Sequence, residues 1–427
     1  MLKMLFQAKE IKPLKIFTDL ESGAVFSFFV LVFFTFMGTD LPFQESNIDA
    51  YAAETTNIVN QIVFIFLFFS AAFLIIQNPK KTFSFIRAEK YLTLFILFCL
   101  LSFLWSDYGL ISFKRSFQLF VTFITILNAI LYVRTEFIIS SFKIVCFIYL
   151  AVTFFSGLFI PQAIDQAFGT WRGIELQKNL LGHTALMIFT LALYFLHYSQ
   201  NVLTKFSNYL LIVLSILAVI LSGSSTNLIG VIAVVLVLLV MNIDKYYASL
   251  GNIRLFSIIV MLTIIFPILI ISVYAPEILS FIPGFFGKDL TFTGRSSIWA
   301  YIWDEIQRKF WLGYGYGSYW IMGSSIIDKF QFSVGWKVNE AHNGFLEIML
   351  QTGVIGFVLF ISVLISFVYK IIKSDFIIAL LVLISIVIVN FSESFVFKER
   401  NSSTLVFIFF YLLTTAIYSQ KYRESKT

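Results

Sequence analysis

Long apolar stretches, separated by short polar segments, repeat along almost the whole chain. A helix needs about 20 mostly apolar residues to cross the hydrocarbon core of a bilayer, with a range of about 17–25. On that template the sequence predicts about twelve transmembrane helices. They lie near residues 23–40, 57–77, 91–105, 116–133, 138–160, 180–197, 208–222, 227–243, 255–275, 345–369, 375–395 and 402–420. The predicted fold class is all-α integral membrane, with residues 1–427 forming a single polytopic membrane domain.

The positions of lysine and arginine predict the orientation of these helices. The chain opens with a lysine-rich segment and shows no small-residue cleavage site, which favours a retained end over a signal peptide. Basic residues then predominate in every second connecting segment when the segment 276–344 is set aside. Cytoplasmic loops carry such an excess of positive charge. We therefore expect both termini to be cytoplasmic, as an even number of spans requires.

Composition excludes several classes of protein. The chain is 59% hydrophobic and only 13% charged, whereas a soluble domain carries about 25% charged residues. A soluble enzyme is therefore excluded. The net charge of +6 does not indicate nucleic-acid binding, because the basic residues follow membrane sidedness. The two cysteines, Cys99 and Cys146, lie within apolar runs and form no disulfide framework.

One long segment, 276–344, interrupts the pattern of short connections and is predicted to form an outer loop between helices 9 and 10. Loops of this length are usually functional or disordered, and its five tryptophans argue against disorder. Within it, SSIWAYIWDEIQRKF (296–310) repeats apolar residues at helical spacing, with Trp299 and Trp303 on the apolar face and Asp304 opposite. This pattern predicts an amphipathic helix lying at the membrane surface. The alternative is a helix packed only against the bundle.

Several kinds of chemistry have no signature in the sequence. No cluster of Asp, Glu, His or Cys has metal-ligand spacing, and no phosphate-binding loop of the GxxxxGK[ST] type occurs. Neither a metal nor another cofactor is therefore predicted. The predicted spans contain few ionisable residues, chiefly Lys143 and Glu393. Ion-coupled transporters usually need such groups at mid-membrane, so transport is disfavoured.

Polar residues that can carry chemistry lie in three segments on the predicted outer face. GTWRGIELQKNLLG holds Arg172 and Lys178, LTFTGRSSIW places Arg295 at the start of the amphipathic helix, and NEAHNGFLEIM holds His342 and Asn343. A guanidinium beside the free N–H groups of a helix N-terminus suits a phosphate, so the two arginines are candidate anion-binding residues. The alternative for each arginine is pairing with lipid headgroups or surface charges.

His342 is a candidate general base. Its unperturbed pKa near 6.5 allows an imidazole to take a proton from a hydroxyl at neutral pH. The alternative is a hydrogen-bonded histidine with no chemical role. The glycines of WLGYGYGSYW (311–320) form a tight turn or approach a ligand closely, and the sequence leaves both possibilities open.

Taken together, four motifs resemble the O-antigen ligase and polymerase superfamily. WRGIELQKNLLG, TGRSSIW, WLGYGYGSYW and AHNGFLEIMLQTGVIG occur in the order typical of that superfamily. LSFLWSDYGLISFKRSF (101–117) and LSGSSTNLIG (221–230) resemble its earlier segments, so the similarity covers roughly residues 100–360. The WRG…KN motif is most similar to that of exopolysaccharide polymerases.

The resemblance implies a membrane glycosyltransferase of the bacterial inner membrane that takes a glycan from a polyprenyl diphosphate on the periplasmic face. Arg172 and Arg295 match motif arginines that offset the charge growing on the diphosphate, and Lys178 is a further donor-binding candidate. His342 would remove the proton of the acceptor hydroxyl, while Asn343 orients it or binds sugar. The reaction implied is metal-independent and needs no cofactor.

The sequence leaves three functions to be distinguished. The leading hypothesis is a polymerase that joins lipid-linked repeat units of an exopolysaccharide, capsule or lipopolysaccharide O-antigen. The alternative is an O-antigen ligase that transfers finished glycan to a lipid or protein acceptor. A lipid-linked glycan flippase would need a polar central cavity, which the few ionisable residues in the spans disfavour. The expected partners are a polyprenyl-diphosphate-linked glycan donor, a glycan or lipid acceptor, and membrane lipids, with no nucleic acid.

Overall fold

The fold is a bundle of apolar helices. The computed structural model describes residues 19–38, 57–165, 168–246, 295–321, 324, 327–328 and 338–424. The helices are α1 (Asp19–Met37), α2 (Ile58–Gln77), α3 (Pro79–Ala88), α4 (Lys90–Leu101), α5 (Gly109–Tyr132), α6 (Thr135–Phe159), α7 (Lys178–His197), α8 (Val202–Leu221), α9 (Ser225–Tyr246), α10 (Arg295–Arg308), α11 (Gly344–Ser374), α12 (Ile377–Asn390) and α13 (Ser402–Glu424). A two-residue antiparallel hairpin, β1 (Ile164–Asp165) and β2 (Thr170–Trp171), precedes α7.

Eight of the described helices are long and apolar enough to cross a membrane, which makes this an all-α multi-pass membrane protein. They are α1, α2, α5, α6, α7, α8, α11 and α13, and three shorter apolar stretches lie in α4, α9 and α12. Each coincides with a predicted span. The remaining predicted span, 255–275, and residues 276–294 of the predicted outer loop lie outside the described residues. The count of twelve and the outer position of the loop stay predictions.

One of the most buried helices is α13. Its residues from Ser402 to Leu412 are all buried, and it packs against α1, α5, α7, α11 and α12. A helix that is apolar on every side is expected at such a position. The ring of Phe409 illustrates the packing, since its centroid lies 5.1 Å from that of Phe142 and 6.0 Å from that of Tyr194. By contrast, α2 and α8 expose one apolar face, such as Phe69 and Val213, as lipid-facing helices do.

A loop segment inserts its backbone into the middle of α11. At Gly353 (φ 62°, ψ −171°) the helix is interrupted, and the residues Val354 and Ile355 donate their N–H groups to Phe310 and Trp311 carbonyls instead of to their own helix. The carbonyls freed in this way, those of residues 350 and 351, accept from Tyr314 and from residue 315. Two intrahelical hydrogen bonds are thus replaced by four bonds to the loop, which satisfies the interrupted backbone.

The two ends of the bundle differ in chemistry. At one end, Lys370 at the far end of α11 donates to Glu89 (2.5 Å), which also accepts from Thr415 (2.7 Å). At the other end, Asn401 at the start of α13 lines a cavity together with Arg115 and other residues of the motif segments. Because α13 runs from Ser402 to Glu424, these two polar clusters lie at opposite ends of the bundle.

The predicted amphipathic helix is present as α10, and it packs against protein along its isoleucine face. Ile298, Ile302 and Ile306 are buried in a small cluster that includes Leu350 of α11. The prediction placed Trp303 on this face, but its side chain is 48% exposed. Glu305 takes the buried position instead, where it accepts hydrogen bonds from the Tyr314 hydroxyl and from Arg308. A paired carboxylate is compatible with this burial.

We expect Gly353→Ala to destabilise the protein by roughly 2 kcal/mol or more. A backbone with φ 62° and ψ −171° is populated essentially by glycine and costs a residue with a side chain about 1–3 kcal/mol. In addition, an added Cβ would lie 2.4 Å from the backbone of Trp311. The matched control is Gly23→Ala in α1, where a Cβ meets nothing within 4 Å and helix propensity improves. Thermal unfolding in detergent measures both. Equal stability of the two variants would show that the insertion of the loop at Gly353 is not tight.

Candidate functional site

His342 contacts two carboxylates, Glu340 two residues before it and Glu393 about fifty residues after it. Its Nδ1 is 3.4 Å from Glu340 Oε1 and 3.4 Å from Glu393 Oε2. Glu393 follows α12, which ends at Asn390, so it lies just beyond the helix rather than within it. The other oxygen of Glu340 is 3.2 Å from the ammonium of Lys398. Four ionisable groups from two segments, 340–342 and 393–398, are therefore in contact.

The backbone of His342 is held in a strained conformation. Its φ of 48° is uncommon for a residue with a side chain, and such strain is often found at functional sites. Neighbouring contacts maintain it. The preceding residue, Ala341, donates its N–H to Glu347 (2.9 Å) and accepts from the indole of Trp299 (3.0 Å). The following residue, Asn343, caps α11 by accepting from the N–H groups of residues 345 and 346.

This capping role occupies the side-chain oxygen of Asn343, while its amide nitrogen lies 3.4 Å from the carbonyl of Phe391. Substrate binding by Asn343, one of the expectations from the sequence, remains a prediction. The main-chain N–H of the same residue donates to the hydroxyl of Ser394 (3.1 Å). The segment after α12 therefore contacts both His342 and the residue that follows it.

The side chain of Arg172 stabilises the loop that leads into α7. Its side chain donates to the carbonyls of Gln162 (2.7 Å) and Leu176 (3.2 Å), and the residue is only 7% exposed. The β hairpin lies in the same loop, where the Trp171 ring covers Gly157 so closely that any side chain there would collide with it. These contacts fix the path of residues 161–165 and 168–178. Anion binding by Arg172 stays a prediction.

The remaining predicted site residues are placed as follows. Lys178 begins α7, and its ammonium lies 3.6 Å from the centroid of the Phe168 ring, an attractive cation–π distance. The next residue, Asn179, donates to Glu393 Oε1 at 2.9 Å. The structure thus brings the start of α7 to the carboxylate beside His342. Arg295 begins α10, and its side chain lies outside the described residues.

Beside this cluster is a cavity of about 240 Å³. It is bounded by α1, by residues 174–176 before α7, by the loop after α10 and by the connection between α12 and α13. Residues that face it with polar groups or aromatic rings include Arg115, Glu175, Tyr316, Trp320, Glu340, Glu347, Gln351, Lys398 and Asn401. Aromatic faces alternating with amides and carboxylates can bind both the C–H faces and the hydroxyls of a sugar.

Backbone strain is concentrated around this cavity. Among the described residues with a side chain, four have positive φ, and Phe397 and Arg400 both line the cavity. His342 contacts Glu340, which lines the cavity. The fourth, Asp375, is at the opposite end of α11, where it is the left-handed C-cap of the helix. Strain that lies mostly at one site, outside ordinary caps, indicates a functional constraint there.

Glu175 in the cavity wall has an unusual pKa. Burial raises the pKa of this carboxyl from 4.5 to about 7, although hydrogen bonds from the Tyr149 hydroxyl (2.8 Å) and the Thr184 hydroxyl (3.2 Å) act in the opposite direction. A carboxyl with such a pKa exchanges between its charged and neutral forms near neutral pH. In a cavity wall, a perturbed titratable group of this kind is a candidate functional residue.

Among the described residues, one group of side chains is close enough to hold a metal ion. The ligand atoms of Glu340, His342 and Glu393 lie within 4.8 Å of one another. The sequence prediction found no such cluster, because two of its members are separated from the third by about fifty residues. An ammonium, that of Lys398, already neighbours Glu340, and an amide binds Glu393. We therefore interpret the cluster as a network of ion pairs and hydrogen bonds.

Sequence reasoning missed several of these residues although each left a signal. Glu393 was recognisable as a rare ionisable residue in an apolar stretch, which is by itself a functional hypothesis. Glu175 lies inside the WRGIELQKN motif, and Glu340 is two residues before His342. Arg115, in the segment 101–117, donates to the carbonyl of Gly317 and pairs with Glu399 at 3.3 Å.

Comparison with known proteins adds two findings. The sequence model of a family described as O-antigen ligase matches residues 210–361. A protein of Rhizobium meliloti (strain 1021), named exopolysaccharide production protein ExoQ, is 35% identical over 86 residues. That alignment spans 19% of this chain and 20% of the relative. The match is therefore local, and the family match extends across the loop and the start of α11.

We expect Glu175→Gln to change the pH dependence of stability. Folding raises the pKa of Glu175 from 4.5 to about 7, so the wild type loses stability as the pH rises between these values, by up to about 3 kcal/mol. The glutamine side chain of the variant carries no charge and avoids that loss. The difference in unfolding temperature, variant minus wild type, should therefore be larger at pH 8 than at pH 5. Asp304→Asn, at an exposed position, should show no such trend; the same trend there would refute the assignment.

Proposed function

We propose that the chain is a glycosyltransferase of the polymerase type within the O-antigen ligase and polymerase superfamily, which the family match over residues 210–361 and the local similarity to ExoQ support. In this proposal it joins repeat units of a surface polysaccharide, each carried on a polyprenyl diphosphate, at the periplasmic face of the bacterial inner membrane. The local similarity to an exopolysaccharide production protein favours the polymerase.

The observation that carries the proposal is the placement of His342. Its imidazole is close to two carboxylates, one of which also lines the cavity. A histidine in this setting can accept a proton from a sugar hydroxyl at neutral pH. The cavity offers aromatic rings, amides and carboxylates to the sugar that carries this hydroxyl. We therefore assign the role of general base to His342 and the binding of glycan to the cavity.

The arginines have the complementary task. When the anomeric carbon of the donor is attacked, negative charge grows on the departing polyprenyl diphosphate, and fixed positive charge lowers the barrier. We propose Arg172 and Arg295 for this role, with Lys178 as a further donor-binding residue. Arg172 lies in the same loop as the cavity residues 174–176. Charge stabilisation by these side chains allows the reaction to proceed without a metal or a cofactor.

A second candidate function is an O-antigen ligase, which transfers a finished glycan from the polyprenyl diphosphate to a lipid or protein acceptor. The family description that matches residues 210–361 favours it. Both functions use the same donor and the same proton transfer. They differ in the acceptor, and therefore in the products that accumulate when the protein is absent.

We further propose that the end of the bundle with the cavity faces the periplasm and that both termini are cytoplasmic, as the distribution of basic residues favours. Single cysteines introduced at positions 165 and 342 should then react with a membrane-impermeant reagent in intact spheroplasts, whereas cysteines at 85 and 421 should react only after lysis. A background of C99S and C146S, both buried positions, removes the native thiols. Labelling of position 421 but not of position 342 in intact spheroplasts would overturn the proposed mechanism.

The functional proposal is tested by deleting the gene and separating the surface glycans by size. For a polymerase, the deletion strain should carry single repeat units on the acceptor in place of long chains. For a ligase, long chains should remain on the lipid carrier. The wild-type gene should restore the normal pattern, while the His342→Ala gene should not, because loss of a general base typically slows a reaction by about 10²–10⁴-fold.

A second variant separates chemistry from folding in this experiment. Residue 342 has a left-handed backbone, which asparagine tolerates better than alanine. His342→Asn should therefore reach the wild-type level in the membrane and still fail to restore the glycan. Normal glycan in the deletion strain would reject both functions, and restoration by His342→Asn would reject the proposed base.

A further inference from the structure

The contacts of His342 determine which of its nitrogens carries the proton. Nδ1 lies 3.4 Å from oxygens of both Glu340 and Glu393. Ionised carboxylates only accept hydrogen bonds, so the proton of the neutral imidazole resides on Nδ1 and the lone pair on Nε2. We propose that Glu393, oriented by Asn179, is the positioning residue that fixes this arrangement of His342. The inference rests on the proposed role of His342 as the general base.

Glu393 is better suited to this role than Glu340. Its contact with Nδ1 has hydrogen-bond geometry, and its side chain is only 3% exposed. Glu340 shares its charge with the ammonium of Lys398 at 3.2 Å, which weakens its pull on the imidazole. Glu393 receives a hydrogen bond from the amide of Asn179 at 2.9 Å, which fixes the orientation of its carboxylate.

Asn179 is itself held in place by the start of α9. Its carbonyl accepts from the amide of Asn227 (3.1 Å), which also donates to the hydroxyl of Ser224 (2.8 Å). Asn227 therefore holds the main chain of Asn179, the side chain of Asn179 holds Glu393, and Glu393 contacts His342. Adjacent to it, the hydroxyl of Ser394 accepts from the main chain of residue 343. Two consecutive residues after α12 thus hold both the imidazole and the backbone of the base.

This arrangement accounts for each proton and electron pair in the reaction. The acceptor hydroxyl gives its proton to Nε2 of His342, and the oxygen forms the new bond to the anomeric carbon of the donor. The bond from that carbon to the diphosphate oxygen breaks, and its electron pair leaves with the diphosphate. The imidazolium that results is stabilised by Glu393, as a carboxylate stabilises the histidine of a catalytic triad. Solvent then takes up the proton from Nε2.

The test uses purified full-length protein in nanodiscs with lipid-linked glycan isolated from the deletion strain. Glu393→Gln keeps the size of the side chain but presents an amide that can donate to Nδ1, so the wrong tautomer is favoured. We expect turnover to fall roughly 10²–10⁴-fold with little change in the KM for the donor. Glu393→Asp, which keeps the charge, should recover part of the activity. Asp304→Asn, an exposed change on α10, should retain wild-type turnover.

A second readout needs no substrate. Diethyl pyrocarbonate reacts with unprotonated imidazoles, and peptide mass spectrometry reports the modification of His342 alone. Among the described residues, the imidazole contacts the carboxylates of Glu340 and Glu393, and Lys398 pairs with Glu340. Removing the carboxylate of Glu393 disfavours the protonated imidazole, so the midpoint of the modification curve should move down by about one pH unit in Glu393→Gln. Asn179→Ala leaves Glu393 in place but removes the hydrogen bond that orients it, so the midpoint should move in the same direction by a smaller amount. This variant also provides a test if Glu393→Gln fails to fold.

Three results would overturn the proposal. They are wild-type turnover in Glu393→Gln, an unchanged modification curve in both Glu393→Gln and Asn179→Ala, or loss of wild-type turnover with EDTA. The last would mean that a metal ion, rather than a proton, links the three side chains. An active His342→Asn protein would instead reject the general base itself, so failure of the proposed function is distinguished from failure of this inference.

Discussion

The site depends on the way the segment after α10 completes the interrupted helix α11. Backbone polar groups within a membrane protein must find partners in the protein, because the bilayer interior offers none. At Gly353 the helix gives up two of its own hydrogen bonds, and residues 310–315 supply the replacements. An interruption of this kind is stable only while both segments are present. The loop and the helix therefore fold as one unit.

Hydrogen bonds attach the other segments of the site to this loop and helix. The carbonyl of Leu312 accepts from the indole of Trp105 (3.0 Å), and Ser318 is 2.8 Å from Ser106, so the segment 101–117 is attached to the same loop. Trp320 of the loop donates to Glu347 on α11 (2.8 Å), which also holds the main chain just before His342. The glycine-rich turn thus has a structural explanation. It allows two backbones to approach closely enough to bond, and no phosphate is needed to explain it.

A buried carboxyl and strained backbone lie together where chemistry is proposed. Burial raises the pKa of Glu175 to about 7, and three residues with side chains adopt left-handed backbone beside or next to the cavity. Below this region, α13 and its neighbours form an apolar core in which hydrophobic packing is extensive. A rigid support of this kind holds a strained site in one geometry.

The sequence by itself determined the membrane class and the apolar helices, because bilayer thickness fixes the length of an apolar run. It also identified the segments that meet at the site, because their motifs carry unusual polar residues. It identified His342, and noted Glu393 only as an unusual charge. Only the tertiary structure brought Asn179, His342 and Glu393 together and placed Glu305 rather than Trp303 on the buried face of α10. The physical reason is that the rotation and tilt of each helix are set by its neighbours rather than by its own pattern. Contacts between residues far apart in the chain are therefore decided by packing.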